Sequence, residues 1–199
     1  MSTLLPIIGL VTVAAFTPGP NNFIVMDAAA RDGVAGAVRT IVGVVIGMFV
    51  LLVLVWAGAA AAFDAEPRLR IGLTIAGATY LAWMGGTRVW RTFRAPSAGD
   101  GSAGGLPATF LGIAAFQLMN PKGWVMITTA TAAISAIGTG LGTFATLAAM
   151  VAMIPITALT VWALAGAAIA SWLKSPGARR WFDRVMGGLL VASAGLLLI

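Results

Sequence analysis

The stretch GWVMITTATAAISAIGTGLGTFATLAAMVAMIPITALTVWALAGAAIASWL, residues 123–173, decides the fold class of this chain because no charged residue interrupts it. A helix that spans a lipid bilayer needs about 20 predominantly apolar residues, so this stretch can hold more than one span. Three other charge-free runs, residues 1–26, 40–63 and 71–87, can each hold one. The sequence therefore predicts an all-α integral membrane protein.

The composition of the whole chain agrees with a bilayer as its solvent. Of its 199 residues, 60% are hydrophobic and 9% are charged, which is too little charge to cover a water-soluble domain of this length. The net charge of +6 would suggest nucleic-acid binding in a soluble protein. Here the basic residues lie at the ends of apolar runs, where they act as topology signals, so we expect no nucleic-acid partner. Cysteine and histidine are absent, so we expect no disulfide, no metal site and no cofactor.

Six transmembrane helices are predicted, with boundaries set by charged and turn-forming residues. The first is interpreted as a retained helix and not as a signal peptide, because no basic residue precedes it. Residues 95–105 form a linker of small residues that cannot bury enough apolar surface to fold. This linker divides the chain into a first half, 1–94, and a second half, 106–199. The predicted helices are 4–29, 39–63, 68–91, 106–134, 140–172 and 179–199.

The distribution of lysine and arginine predicts the orientation. Nine of these residues lie in the connections after helices 1, 3 and 5, whereas the opposite face has only Arg68 and Arg70. The positive-inside rule places the nine on the cytoplasmic side of a bacterial inner membrane, with both termini outside. Each half holds an odd number of helices, so equivalent halves must cross the membrane in opposite directions. We therefore predict two inverted three-helix repeats.

Prolines interrupt the first helix of each half, and the first interruption reads FTPGPNN at residues 16–22. Pro18 and Pro20 lack an N–H and clash with the preceding turn, and Gly19 adds backbone freedom. The helix is expected to unwind here and restart, which presents unpaired N–H groups and a positive dipole end near the membrane midplane. A helix start of this kind binds an anion such as a carboxylate. The residues predicted to bind substrate here are Thr17, Pro18, Gly19, Pro20, Asn21 and Asn22.

The second interruption, in helix 4, reads QLMNPK at residues 117–122. Asn120 followed by Pro121 is typical of a helix start, with a capping side chain and then proline at the first helical position. Lys122 lies inside an apolar stretch, where a central lysine costs roughly 2.5–3.5 kcal/mol. It could bind a carboxylate, pair with Asp27 or change protonation during a cycle, or it could lie near the cytoplasmic end and snorkel. We predict that Asn120, Pro121 and Lys122 bind substrate, because paired interruptions indicate a transporter site.

Three other residues have a predicted role. Asp27 is the acid nearest to membrane depth, and it is either a proton-coupling residue together with Lys122 or merely interfacial. Gly43 and Gly47 form a GxxxG pair on helix 2, which favours close helix packing over a role in ligand binding.

These interruptions belong to a set of motifs that resembles the LysE/RhtB family, small bacterial exporters of amino acids and their derivatives. The motifs are AFTPGPNN at 15–22, Gly43 with Gly47, YLAWMG at 80–85 and NPK at 120–122. Residues 17–47 look most like the cysteine/O-acetylserine exporter branch. The resemblance implies proton-driven efflux of a small zwitterion, and it carries site roles onto Pro18, Gly19, Pro20, Asn21, Asn120, Pro121 and Lys122. Lysine-exporting members tend to have a carboxylate in helix 2, and residues 40–63 have none, which argues against a dibasic substrate.

The resulting hypothesis is a secondary exporter of small neutral amino acids or related metabolites that works by alternating access. An enzyme is not expected, because the usual nucleophile–base pairs are missing. ATP coupling within the chain is not expected either, since there is no phosphate-binding loop. Two alternatives stay open: a non-transporting structural subunit, and an exporter of a metabolite other than an amino acid. Lipid is a partner in any of these cases, and a homodimer would cover part of the surface of so thin a bundle.

Overall fold

A computed structural model describes residues 4–94 and 109–196. Within these ranges the chain is helical and contains no β-strand, which confirms the predicted all-α class. The chain also contains a π-helical turn, Val55–Ala59, and a 3-10 turn, Trp172–Lys174. The helices are α1 (Leu4–Phe16), α2 (Pro20–Leu54), α3 (Ala60–Ala65), α4 (Pro67–Arg91), α5 (Phe110–Met119), α6 (Pro121–Ser135), α7 (Leu141–Ile169) and α8 (Pro176–Leu196). The predicted linker at 95–105 lies outside the described residues.

The longest helix, α2, reverses its direction at Gly33. Asn21 hydrogen-bonds to Gln117, and a Cβ atom on Gly47 would lie 2.5 Å from Cγ of the same Gln117. In a straight helix, Asn21 and Gly47 would be about 39 Å apart at 1.5 Å per residue, so both can reach one side chain only if the chain folds back between them. Gly33 has φ 74° and ψ 176°, a conformation that is essentially restricted to glycine.

This reversal corrects the predicted connection between helices 1 and 2. The predicted helices 4–29 and 39–63 have residues 30–38 between them, whereas the structure makes the turn at Gly33 alone. The predicted helix at 39–63 is helical along its whole length, but it changes type, because α2 ends at Leu54 and the π-helical turn follows. Gly58 in that turn has φ 106°, which interrupts the regular helix before α3.

Both predicted proline breaks are present. α1 ends at Phe16 and α2 begins at Pro20, while α5 ends at Met119 and α6 begins at Pro121. Among the described residues, two helical stretches meet the length and hydropathy expected of a membrane span, Pro20–Ala59 and Leu141–Ile169. The first of them contains the reversal at Gly33, and α1 and α5 are shorter apolar helices.

The outward faces of the helices are apolar. Leu5, Leu111, Leu141 and Met153 are all more than 60% exposed, and large exposed apolar surfaces are rare on proteins that face water. Inside, the main buried cluster packs α2 against α1, α5, α6 and α7, and a second cluster joins the start of α2 and α5 to α4 and α8. The exposed surface therefore suits lipid and the interior suits helix packing.

Glycines allow the helices to pack closely at several places, among them the GxxxG pair on α2 and a contact between α4 and α8. A Cβ on Gly43 would lie 3.1 Å from the Ile113 side chain, and one on Gly47 would lie 2.6 Å from the Ala114 carbonyl, so α2 packs closely on α5 at the GxxxG pair. Between α4 and α8 the contact is reciprocal. A Cβ on Gly85 would lie 2.5 Å from the Gly187 carbonyl oxygen, and one on Gly187 would lie 2.6 Å from that of Gly85.

Candidate functional site

The two proline breaks meet inside the helical bundle. Asn21, at the start of α2, and Gln117, near the end of α5, exchange two amide hydrogen bonds of 3.0 and 2.8 Å. The amide nitrogen of Asn120 lies 3.4 Å from the side-chain oxygen of each. Gln117 was not predicted as a site residue, although it lies one helical turn before Asn120 and so on the same face of its helix.

The side chains of Asn22 and Lys122 bind the C-terminal end of α1 next to this network. The amide of Asn22 donates to the carbonyl oxygens of Ala15 (3.1 Å) and Thr17 (3.0 Å). Nζ of Lys122 donates to the Thr17 carbonyl at 2.6 Å. A Cβ on Gly19 would lie only 2.9 Å from Nζ of Lys122, so glycine at this position leaves room for the lysine.

This geometry corrects one prediction about Lys122, namely that it pairs with Asp27. The lysine contacts the break between α1 and α2. Asp27 instead lies in a separate cluster of arginines. Whether either residue changes protonation during transport stays a prediction.

Both half-helices that start at the break begin without a side-chain cap. Gly19 precedes α2 in an extended conformation and has no side chain to act as a cap. Asn120 precedes α6, and its side chain accepts no hydrogen bond from that helix. Proline follows in each case, so the first N–H of each helix is removed as well. The remaining N–H groups and the positive ends of two helix dipoles therefore lie at the same place, which favours an anionic group.

Two adjoining cavities lie at these helix starts. The larger, about 340 Å³, is mainly apolar, with Leu10, Leu81, Val125 and Met126 among its lining residues. The smaller, about 30 Å³, extends toward Asn21, Asn22, Met48 and Pro155. Both cavities are lined by Ala14, Gly19, Pro20, Asn120, Lys122 and Met126.

Asn120 is the polar group that the protein itself leaves least satisfied here. Its side chain is 1% exposed, and its oxygen has no hydrogen-bond partner among the described residues. A buried acceptor of this kind costs about 1–3 kcal/mol when it is left unpaired. Asn120 lines both cavities, so a rotation of its side chain would present this acceptor to a bound molecule.

The structure brings together all nine residues that the sequence predicted to bind substrate. Each of them lines one or both cavities. Leu81 on α4 and Ser193 on α8 complete the larger cavity, and neither was predicted as a site residue. Leu81 lies in the YLAWMG motif, to which no site role was assigned, and Ser193 lies in none of the motifs. The nine are Thr17, Pro18, Gly19, Pro20, Asn21, Asn22, Asn120, Pro121 and Lys122.

A cluster of ion pairs lies apart from the cavities. Asp27, which is 1% exposed, contacts Arg31 and Arg88 at 2.6 Å each and Arg179 at 3.0 Å. Arg88 and Arg179 also pair with Asp183, at 2.9 and 3.2 Å. These residues come from the connections after predicted helices 1, 3 and 5, so the structure gathers those three basic segments at one end of the bundle.

Comparison with known proteins agrees with the resemblance seen in the sequence. Residues 12–199 match the family described as LysE type translocator. A leucine efflux protein of Enterobacter sp. is 32% identical over 79% of this chain and 76% of its own length. No solved structure matches the chain.

Two further relatives match over shorter regions. An uncharacterized membrane protein of Pseudomonas aeruginosa is 40% identical over 46% of this chain, and the match spans less than half, 44%, of that relative. A cysteine/O-acetylserine efflux protein of Escherichia coli K12 is 30% identical over 55% of this chain and 54% of its own length. The family match covers nearly the whole chain and includes both proline breaks. This chain therefore belongs to the LysE-type translocator family.

Proposed function

We propose that the chain is a secondary active exporter of small neutral amino acids or related metabolites in the bacterial cytoplasmic membrane. The observation that carries this proposal is the meeting of two uncapped helix starts and one lysine around a shared cavity. Family membership supplies transport as the activity, and the relatives named for leucine efflux and for cysteine/O-acetylserine efflux favour amino acids as the substrates.

The polar end of an amino acid fits the groups at the break. Its carboxylate would lie at the starts of α2 and α6, where two dipole ends and Lys122 favour a negative charge. Its ammonium group would donate to the unpaired oxygen of Asn120, which is buried here and would turn toward the cavity when the Asn120 side chain rotates. Lys122 would give up its hydrogen bond to the Thr17 carbonyl and donate to the carboxylate instead. Thr17 and Lys122 line the same cavity, so the lysine can reach both acceptors.

The cavity also supports a neutral side chain. Its volume of about 340 Å³ lies in the lower part of the roughly 300–1,000 Å³ that small-molecule pockets occupy. Among the described residues that line the two cavities, Lys122 alone is charged. A dibasic substrate would need an acidic partner, and none lines this wall, so an apolar or small polar side chain fits best.

The site would be reached alternately from the two sides of the membrane when two inverted three-helix repeats rock about it. These repeats are residues 1–94 and 106–199, with the linker 95–105 between them. Two contacts support this arrangement. The proline breaks of the two halves face each other across the network of Asn21 and Gln117, and Gly85 and Gly187 contact each other reciprocally. A two-fold axis in the membrane plane would produce both.

The membrane orientation and the coupling are part of the same proposal. The basic end gathered around Asp27 would face the cytoplasm, with both termini outside. A proton gradient would drive export, with Asp27 and Lys122 as the candidate coupling residues. A homodimer would cover part of the apolar outer surface, although transport as proposed needs only one copy.

Replacement of Lys122 by methionine tests the site. The change keeps most of the side-chain volume and removes the charge, so it should weaken carboxylate binding by about 1.5–3 kcal/mol, the usual contribution of a charged hydrogen bond. We expect efflux of labelled leucine to fall at least tenfold, with Lys122→Arg less impaired. Arg91→Met, which removes a cation at a distance from the cavities, is the matched control.

The assay compares efflux from cells that contain equal amounts of membrane-inserted protein, with and without a protonophore. Efflux that the protonophore abolishes and that Lys122→Met loses would support the exporter and its site. A fully active Lys122→Met protein would refute the site assignment. If no amino acid is exported, the proposed substrate class is wrong, and another metabolite or a non-transporting subunit becomes the better hypothesis.

A further inference from the structure

A third cavity, of about 410 Å³, lies at the basic end of the bundle, away from the proline breaks. Its lining comes from the last turn of the first segment of α2, the end of α7, the 3-10 turn and the start of α8. The basic residues in the lining are Arg31, Lys174 and Arg179, and the remainder is small or apolar: Ala29, Ala30, Gly33, Ala167, Ala170 and Leu173. The described lining includes no acidic residue.

The arginines of this cavity keep donors available. A guanidinium carries five N–H donors. Arg31 uses one of them on Asp27, and Arg179 uses one on Asp183 and one on Asp27. The ion pairs fix the two guanidinium groups in place and leave further N–H groups for a ligand. Planar arginine donors in fixed positions match the oxygens of a phosphate.

Lys174 adds a cation that no carboxylate in the described part of the chain neutralises. Its side chain is exposed, and it forms no ion pair with a described carboxylate. In the surrounding cluster, Arg31, Arg88 and Arg179 carry three positive charges against the two negative charges of Asp27 and Asp183. Together, this cluster and Lys174 have an excess of two positive charges.

Tryptophans place this cavity at the level of lipid headgroups. Trp172 and Trp181 lie next to it in the chain, are 48% and 59% exposed, and pack edge to face with ring centres 5.7 Å apart. Exposed tryptophan is enriched at the membrane–water interface. The alanines and Leu173 give the cavity an apolar floor.

We propose that this cavity binds the phosphodiester headgroup of an anionic phospholipid. The two arginines and Lys174 would contact the phosphate, and the apolar floor would contact the start of the acyl chains. Basic pockets between transmembrane helices on the cytoplasmic side bind anionic headgroups by the same chemistry. The site is separate from the proposed substrate site, so a test of lipid binding does not depend on which substrate is exported.

Lys174→Ala is the variant that tests the proposal, because Lys174 lies outside the ion-pair cluster and its loss should not unfold the protein. The matched control is Arg91→Ala, which removes an exposed cation at the same end of the bundle that does not line the cavity. Retention of phosphatidylglycerol by the purified protein is measured by native mass spectrometry over a series of lipid concentrations, with phosphatidylcholine as the reference lipid.

We expect phosphatidylglycerol to be retained in preference to phosphatidylcholine. The apparent affinity should fall about fivefold in Lys174→Ala, as expected for about 1 kcal/mol per basic residue, and stay within twofold in Arg91→Ala. Equal loss in both variants would mean general surface charge and would overturn the proposal. Displacement of the lipid by excess inorganic phosphate alone would also overturn it, because the cavity would then be a site for a free anion.

Discussion

Replacement of Asp27 by asparagine should destabilise the protein more than any other single loss from the ion-pair cluster. Asparagine keeps the shape of the side chain and one acceptor oxygen, so the change isolates the negative charge. Asp27 is the member of the cluster that contacts arginines from three separate segments, Arg31, Arg88 and Arg179. It therefore ties both halves of the chain together at the basic end.

The expected magnitude follows from the burial of each partner. Arg31 and Arg179 have side chains about 30% exposed, so water can replace part of the lost interaction and their contribution is small. Arg88 is 4% exposed, and without Asp27 it keeps only Asp183 at 2.9 Å. Breaking a buried pair from one side costs about 3–5 kcal/mol. At roughly 2–4 °C per kcal/mol for a chain of this size, the unfolding midpoint should fall by about 6–20 °C.

The assay is thermal unfolding in detergent, followed by tryptophan fluorescence. The control is Asp183→Asn, because Asp183 is 20% exposed and Arg88 keeps Asp27 in that variant; it should lose less than half as much. The double variant Asp27→Asn/Arg88→Met removes both buried charges and should recover at least half of the loss. The reasoning is refuted if Asp27→Asn is no less stable than Asp183→Asn. Unchanged pH dependence of efflux in Asp27→Asn would separately remove Asp27 from proton coupling.

Two further predictions concern glycines, each with a glycine control that the structure leaves unobstructed. Gly47→Ala would place Cβ 2.5 Å from the Gln117 side chain, so overpacking should lower the free energy of unfolding by about 1–3 kcal/mol. In the control, Gly86→Ala, the new Cβ meets nothing within 4 Å, so this variant should be neutral or slightly stabilised. Equal thermal midpoints in the two variants would contradict the close packing at Gly47. Gly33→Ala places a side chain on a residue with positive φ at the α2 reversal, so the free energy of unfolding should fall by about 1–3 kcal/mol. The control, Gly9→Ala, lies in open space within α1 and should show no such loss. An unchanged unfolding midpoint in Gly33→Ala would show that this turn does not require glycine.

The sequence by itself determined the solvent, the breaks and the family. Charge-free runs longer than a bilayer is thick leave no alternative to a membrane, and this holds whatever the packing. Proline removes a hydrogen bond and blocks the preceding turn wherever it occurs inside a helix, so the interruptions before Pro20 and Pro121 could be predicted locally. The nine predicted site residues flank those two prolines, which is why the structure finds all of them at the same cavities.

Only the tertiary structure decided which residues meet. The sequence offered Asp27 as a partner for Lys122, but long-range packing gives Asp27 to three arginines and Lys122 to the carbonyl of Thr17. The reversal at Gly33 depends on a positive φ that no motif marks, because glycine also occurs frequently within membrane helices. Hydrophobic periodicity sets which residues face the bundle, but how the helices pack sets which of them touch. For this reason the translocator family could be predicted from the sequence, whereas the third cavity and its three basic residues could not.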